Sequence, residues 1–143
     1  MCFACGDRNH HGLRMRFEVD RTTGGVLCRY SPREADQGFP GVLHGGVVST
    51  LLDESMAWAL WVQHGALAVT AKMETRYRRT VPADRLLAVR AHVAAARGRR
   101  FEVTARLLDV EDAVLAEATA LFLRLPPDEE QSVLDRIGWH RGE

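Results

Sequence analysis

Neither sign of charge is in excess in this sequence: Lys and Arg together number 19, Asp and Glu number 19, and the formal net charge is zero. That balance removes the electrostatic signature of a nucleic-acid or anionic-membrane binder, so any basic patch must be local. Lysine is nearly absent. Lys72 is the single one, and the remaining cations are arginines, whose planar fork suits phosphate and carboxylate better than an ammonium does. Cysteine is scarce as well. Cys2, Cys5 and Cys28 form an odd set too small for a disulfide framework, and the first residues lack the apolar core of a signal peptide, so a cytoplasmic chain is expected. The longest apolar stretches, Val47 to Leu52 and Met56 to Val62, are interrupted by Asp53 and Glu54 and fall short of a membrane span. With 143 residues and 46% hydrophobic content, a single domain spanning 1–143 is expected to bury enough surface to fold without disulfide or metal.

Hydrophobic periodicity orders the elements. Leu13, Met15, Phe17 and Val19 alternate with Arg14, Arg16 and Glu18, which predicts a half-buried strand over Leu13 to Val19, and a second strand is expected from Val26 to Tyr30. Four glycines and Pro40 fall within the nine positions from Gly38 to Gly46, the mark of a loop with special backbone geometry. From Val47 to Gln63 the apolar residues are too dense for one face of a surface helix, so this helix is expected to be buried nearly all round and to end at Gly65. Period two then returns. It covers Val69 to Tyr77, Arg85 to Ala96, Arg99 to Leu108 and Val114 to Leu125, with connections short enough for antiparallel hairpins. The resulting ββαββββ order predicts an α+β fold in which an antiparallel sheet curls around one long helix, since no other element is available to bury it. Asp128 is expected to cap a short C-terminal helix over about 128–138.

Chemistry concentrates around the start of the long helix. Gly45 and Gly46 lead the chain into it, so unpaired N–H groups and the positive end of the helix dipole face outward, where a thioester or ester carbonyl can be polarised by the Gly45 N–H. Two glycines can also simply make a turn. Asp53 and Glu54 are adjacent carboxylates in an apolar helix, a placement with a desolvation cost that a purely structural core avoids. Asp53 can act as nucleophile or as general base for water, and these alternatives stay open. An arginine partner such as Arg76 is the structural alternative for both acids. Thr70, on the strand that follows, can hydrogen-bond the carboxylate or its water. His44 is expected to shape the pocket, its ring held by a backbone partner. Cys2 and Cys5, with His10 and His11 nearby, lack a second well-spaced pair and therefore a zinc ligand set, so no metal is expected and segment 1–12 is read as a tight turn over the pocket mouth.

His44-Gly45-Gly46 followed by Asp53-Glu54, the preceding Gln37-Gly38-Phe39-Pro40-Gly41 and the Val69-Thr70-Ala71 to Tyr77 strand together resemble the hotdog-fold acyl-CoA thioesterases of the phenylacetate-pathway, PaaI-like type. The resemblance runs from about Cys2 to Leu125. It implies a hotdog fold, hydrolysis of acyl-CoA to free acid and coenzyme A, and no cofactor, coenzyme A being part of the substrate. It also implies Gly45 as oxyanion donor, Asp53 as catalytic carboxylate and Thr70 as its assistant, with Gly46, His44 and Glu54 beside the substrate. Some relatives carry an Asn six positions before the histidine, where this chain has Gly38; Gln37 is the candidate substitute. In this fold Arg76, Arg78 and Arg79, late in one strand, and the Arg97, Arg99 and Arg100 turn lie near a dimer surface, where guanidinium groups can clamp the coenzyme A phosphates, the turn being preferred over Arg76. The implied assembly is a homodimer with composite sites, or a tetramer built from it, with no nucleic-acid or membrane partner. A non-catalytic acyl-CoA-binding protein and a hotdog hydratase or dehydratase are the alternatives.

Overall fold

The computed structural model describes residues 1–141; residues 142–143, the end of the expected domain, lie outside the described residues. Elements follow in the order β1 (Glu18–Val19), β2 (Val26–Tyr30), a 3-10 turn (Glu34–Asp36), α1 (Gly45–His64), β3 (Ala68–Tyr77), β4 (Leu87–Arg97), β5 (Arg100–Leu108), β6 (Val114–Arg124) and α2 (Pro127–Ile137). The strands form one antiparallel sheet in the order β1-β2-β4-β5-β6-β3. Its concave face holds α1, so the expected α+β architecture is the observed one. Among the described residues no helix is long and apolar enough to cross a membrane.

Helix α1 buries Val48, Leu51, Leu52, Ser55, Met56, Ala59 and Leu60, a spacing of three and four that draws one stripe along its 20 residues. This stripe packs on inward side chains of the sheet, among them Leu87, Val89, Leu107 and Phe122. The expectation that the helix is buried nearly all round is corrected within the single chain. One sheet can cover only one side of a cylinder, so Gly45 and Gly46 are exposed and Asp53, Glu54, Trp58 and Trp61 are half-buried on the other flank. Gly65 ends the helix as expected, in the left-handed conformation at φ 57°, with its N–H on the Trp61 carbonyl at 2.9 Å.

Two local expectations are also corrected. The Leu13 to Val19 strand reduces to Glu18–Val19. Leu13 and Met15 do point into the core, but the backbone turns at Arg14 (φ 54°) and pairs with the N-terminal segment, the Leu13 N–H on the Phe3 carbonyl at 2.8 Å and the Met15 N–H on the Ala4 carbonyl at 2.9 Å. Helix α2 is capped by Pro126 with Pro127 as its first residue, because proline brings a helical φ and no N–H that needs a partner; Asp128 lies one position further in. Strand β3 is an edge strand and mostly exposed.

Its register holds the most consequential deviation. Thr70 stands opposite Phe122 and Lys72 opposite Leu121, so Ala71 is an extra residue without a partner, a β-bulge. Cross-strand partners share a face, and Phe122, Ala120, Ala118 and Ala116 are all buried toward α1. Their partners Thr70, Met73, Thr75 and Tyr77 therefore also face α1. Simple alternation puts Val69 and Ala71 on that face and Thr70 on the other; the bulge reverses the strand's first residues, and Val69 ends 53% exposed.

Leu52 is fully buried between α1 and the sheet. Leu52→Ala is expected to lower stability by about 2–5 kcal/mol, read as a lower urea midpoint with unchanged slope at fixed protein concentration.

Candidate active site

Entry into α1 is set by a buried acid that sequence reading missed. Asp36 is 3% exposed and accepts hydrogen bonds from the Tyr30 hydroxyl at 2.6 Å, the Arg33 N–H at 2.8 Å and the Arg33 guanidinium at 2.6 and 3.1 Å. Arg33 also donates to the Gly12 carbonyl at 2.8 Å, and the Asp36 carbonyl accepts the His44 N–H at 2.9 Å. One carboxylate thus ties β2, the N-terminal segment and the residue that precedes α1. Burial alone would raise the Asp36 carboxyl; the hydrogen bonds from Arg33 and Tyr30, with the Arg33 charge, outweigh it and hold it below the ordinary carboxylate range.

His44 then caps the helix. Its Nδ1 accepts the Gly46 N–H at 2.9 Å, so the ring has the backbone partner expected of it and the Gly46 donor is occupied. Among the described residues the Gly45 N–H has no acceptor. Gly38 lies against His44, where an added Cβ would come within 3.3 Å of the His44 Cα; glycine is needed for this approach. Gly38, His44, Gly45, Tyr77 and Arg79 line a cavity of about 780 Å³.

Two turns along the helix, Asp53 accepts the Thr70 hydroxyl on Oδ1 at 2.6 Å. The bulge at Ala71 makes this contact possible, because without it Thr70 would face away from α1. Arg76 instead lies 3.9 Å from Glu74, so the arginine alternative for Asp53 and Glu54 is not realised. Glu54 points to a different place: its Oε1 is 3.5 Å from the Cys2 sulfur. It lines a second cavity of about 730 Å³ together with Trp58, Trp61 and Trp139; the Trp139 ring packs, tilted, against Trp58 and Trp61 at centroid distances of 4.9 and 5.1 Å. The helix residues thus sort by side, Met56 and Leu60 to the core and the tryptophans to this cavity.

Two expected site groups find partners elsewhere within the single chain. The Gln37 amide is consumed within its own loop, donating to the Glu34 carbonyl at 3.0 Å and accepting the Gly41 N–H at 2.6 Å, which leaves it unsuited to replace a water-holding Asn. Within one chain the Arg97 to Arg100 turn lies at the far end of α1 from Gly45, near His64, whose ring is 5.2 Å from that of Phe101. Arg99 there donates to the Arg124 carbonyl at 2.8 and 3.1 Å. Arg78 and Arg79 line the Gly45 cavity instead. Arg78 is paired with Glu117, its Nε 3.1 Å from Oε1, whereas Arg79 makes no ion pair among the described residues. Tyr77 was also missed. Its hydroxyl donates to the Gly45 carbonyl at 3.0 Å and meets the Ser49 hydroxyl at 2.6 Å, bracing the helix start; its place on the inward face with Met73 and Thr75 was the available signal.

The sequence profile of the thioesterase superfamily matches residues 40–116, which contain every residue of the Gly45–Asp53–Thr70 set. The acyl-coenzyme A thioesterase THEM4 of Bos taurus is 28% identical over 108 residues, 75% of this chain and 44% of that protein; the chain spans less than half the length of the curated relatives it matches. A crystal structure of a thioesterase superfamily protein superposes with a TM-score of 0.77 at 26% identity, covering 84% of this chain and 61% of that one. The PaaI protein of the E. coli phenylacetic acid degradation operon superposes at 0.72 with 18% identity, covering 78% and 84%, a likeness of fold. The expected hotdog fold is thereby observed.

Asp36→Asn is expected to lower stability at pH 7 by about 1–3 kcal/mol, as for loss of a buried charge-assisted bond whose arginine half is partly open to water. A depressed folded pKa contributes stability above the unfolded value, about 3.9, and that contribution disappears as pH falls through the folded value. The gap between wild type and variant should therefore narrow below about pH 4, measured by urea unfolding at pH 7 and pH 3.

Proposed function

The chain belongs to the thioesterase superfamily, and from that premise we propose that it hydrolyses acyl-coenzyme A thioesters to a free carboxylic acid and coenzyme A. The observation that carries this reading is Asp53, held by Thr70 at 2.6 Å on the flank of α1 that its own sheet leaves uncovered. Thr70 occupies one carboxylate oxygen; Oδ2 has no partner among the described residues and is available to a water or to the substrate carbon. As general base, Asp53 takes a proton from water while the water oxygen attacks the thioester carbon. The carbonyl oxygen gains negative charge against the Gly45 N–H, the C–S bond breaks, and the proton passes to the departing sulfur. As nucleophile, the carboxylate itself forms the C–O bond while the C–S bond breaks and the coenzyme A thiolate leaves; water then cleaves the resulting anhydride to the free acid and the regenerated Asp53 carboxylate, its remaining proton passing to the thiolate. Arg79 is the guanidinium best positioned near Gly45 for a coenzyme A phosphate.

We place both chemistries in a composite site of a homodimer. Eight residues separate Gly45 from Asp53, about 12 Å of helix rise, more than one thioester carbon and its oxygen span. A two-fold partner brings the Gly45 end of one helix beside Asp53 of the other. Supporting this are the open flank of α1 and the long exposed edge of β3, which among the described residues pairs with β6 alone and is ready for a further strand; a tetramer is a second step of the same assembly. Free thiols at Cys2, Cys5 and Cys28 suit a reducing compartment, and the cytoplasm is the proposed location.

Thiol release from short, medium, long and aryl acyl-CoAs, followed with a chromogenic thiol reagent, tests the activity. Binding without turnover of any of them would favour a carrier or sensor instead. Asp53→Asn is expected to keep the fold and lower kcat by at least ~10²-fold. Gly45→Pro removes the N–H where a Cβ meets nothing closer than the Tyr77 ring at 3.9 Å and proline is tolerated at the first helical position; it too should be nearly inactive. Heterodimers of the two variants should regain activity, since each then holds one intact site. Folded, tag-selected heterodimers without activity would reject the shared site.

A further inference from the structure

The motif that hydrolysis leaves unused is Cys2-Phe3-Ala4-Cys5-Gly6. Its two thiols are a partial ligand set in sequence, and the fold supplies a third donor from 49 positions away: the ligating atoms of Cys2, Cys5 and Glu54 all lie within 4.8 Å of one another. We propose that these three side chains bind a zinc ion, which clips the N-terminal turn to helix α1 and leaves its fourth position open to the tryptophan-lined cavity.

Geometry supports the assignment first. A tetrahedral ion with Zn–S near 2.3 Å and Zn–O near 2.0 Å separates sulfur from oxygen by about 3.5 Å along one edge, and Cys2 Sγ lies 3.5 Å from Glu54 Oε1. The Cys5 thiol needs to close by no more than about an ångström to reach the sulfur–sulfur edge of the same tetrahedron, about 3.8 Å. The turn that carries both sulfurs is built to hold them together. Gly6 N–H closes it on the Cys2 carbonyl at 3.0 Å, and an added Cβ at Gly6 would meet the Cys2 backbone at 2.5 Å, so no side chain fits there. The Cys5 N–H is directed at the Cys2 sulfur at 3.4 Å, the direction in which an amide dipole favours a thiolate. Ala4 and Leu13 are buried, and two backbone bonds fix the segment to residues 13 and 15.

Electrostatics points the same way. Asp20, Asp36 and Glu130, the buried acids of the fold, each have an arginine partner. Glu54 has none among the described residues, and its recorded contact is a thiol. A bound dication replaces the two thiol protons, which pass to solvent, and gives the Glu54 carboxylate a cationic partner. Arg8 and Arg16 line the same cavity and offset the charge that remains. Two thiolates with one carboxylate are a ligand set for a borderline-soft tetrahedral ion. The ion would lie beside Glu54, against the N-terminal turn, whereas Asp53 is held from β3 by Thr70, so the hydrolytic reading and this one stand or fall separately.

The test uses the full chain, purified with a phosphine reductant, stripped with a chelator, reloaded with zinc and desalted. One zinc per chain by elemental analysis is expected, together with a Tm several degrees above that of the stripped protein. Cobalt(II) in its place should give a near-ultraviolet thiolate-to-cobalt charge-transfer band, weakened in Cys2→Ser and in Cys5→Ser. Glu54→Gln, nearly isosteric and on a half-buried surface, keeps the fold by circular dichroism and should lower zinc affinity at least ~10²-fold, as for a lost ligand. Zinc below one-tenth per chain after reloading, a cobalt complex without the thiolate band, or unchanged affinity in folded Glu54→Gln would each overturn the proposal. None of these readouts depends on thioester turnover.

Discussion

Helix α1 can bury only one of its flanks within its own chain, and the rest of the molecule is organised around that constraint. The flank drawn by Val48, Leu52, Met56 and Leu60 takes the whole concave face of the sheet and supplies the core. The opposite flank carries Gly45, Asp53 and Glu54, groups that would be costly against the sheet, where nothing hydrates or pairs a carboxylate. The same division that stabilises the fold therefore presents the reactive groups at a surface, at fixed spacing, on a rigid element.

Pairing of charge separates structural from reactive acids. Asp36 anchors the loop before α1 through Arg33 and Tyr30; Glu130 accepts the Leu67 N–H at 2.8 Å and pairs with Arg124 and Arg141, tying α2 to the start of β3; Asp20 pairs with Arg90 at 2.8 Å. In each case burial would raise the carboxyl, and these partners, joined at Asp20 by the Thr22 N–H at 3.0 Å, hold it below its ordinary range. Among the described residues Asp53 and Glu54 have no such arginine. Asp53 has a hydroxyl donor and Glu54 a pair of thiols, partners that orient a carboxylate without neutralising it.

The bulge in β3 links fold and site. One unpaired residue, Ala71, turns Thr70 toward α1 while Met73, Thr75 and Tyr77 keep the inward face they need for packing and for bracing the helix start. A regular strand would serve either Thr70 or the other three, because side chains alternate with a period of two.

Read by itself, the sequence determined the order of elements, the boundaries of α1, its Gly65 stop, the antiparallel meander after it and the cluster from His44 to Glu54, because these depend on local periodicity and on glycine's backbone freedom. Several features depended on tertiary structure alone. The bulge is invisible in a pattern that alternates cleanly from Val69 to Tyr77, since it is set by pairing with β6. Asp36 resembles any loop acid until Arg33 and Tyr30 close around it. Whether Gln37 was free, and which end of α1 the Arg97 to Arg100 turn approached, were matters of loop path and strand length. Glu54 meets Cys2 and Cys5 across 52 and 49 positions, a proximity that no spacing encodes, because only chain folding brings such distant residues within reach of one ion.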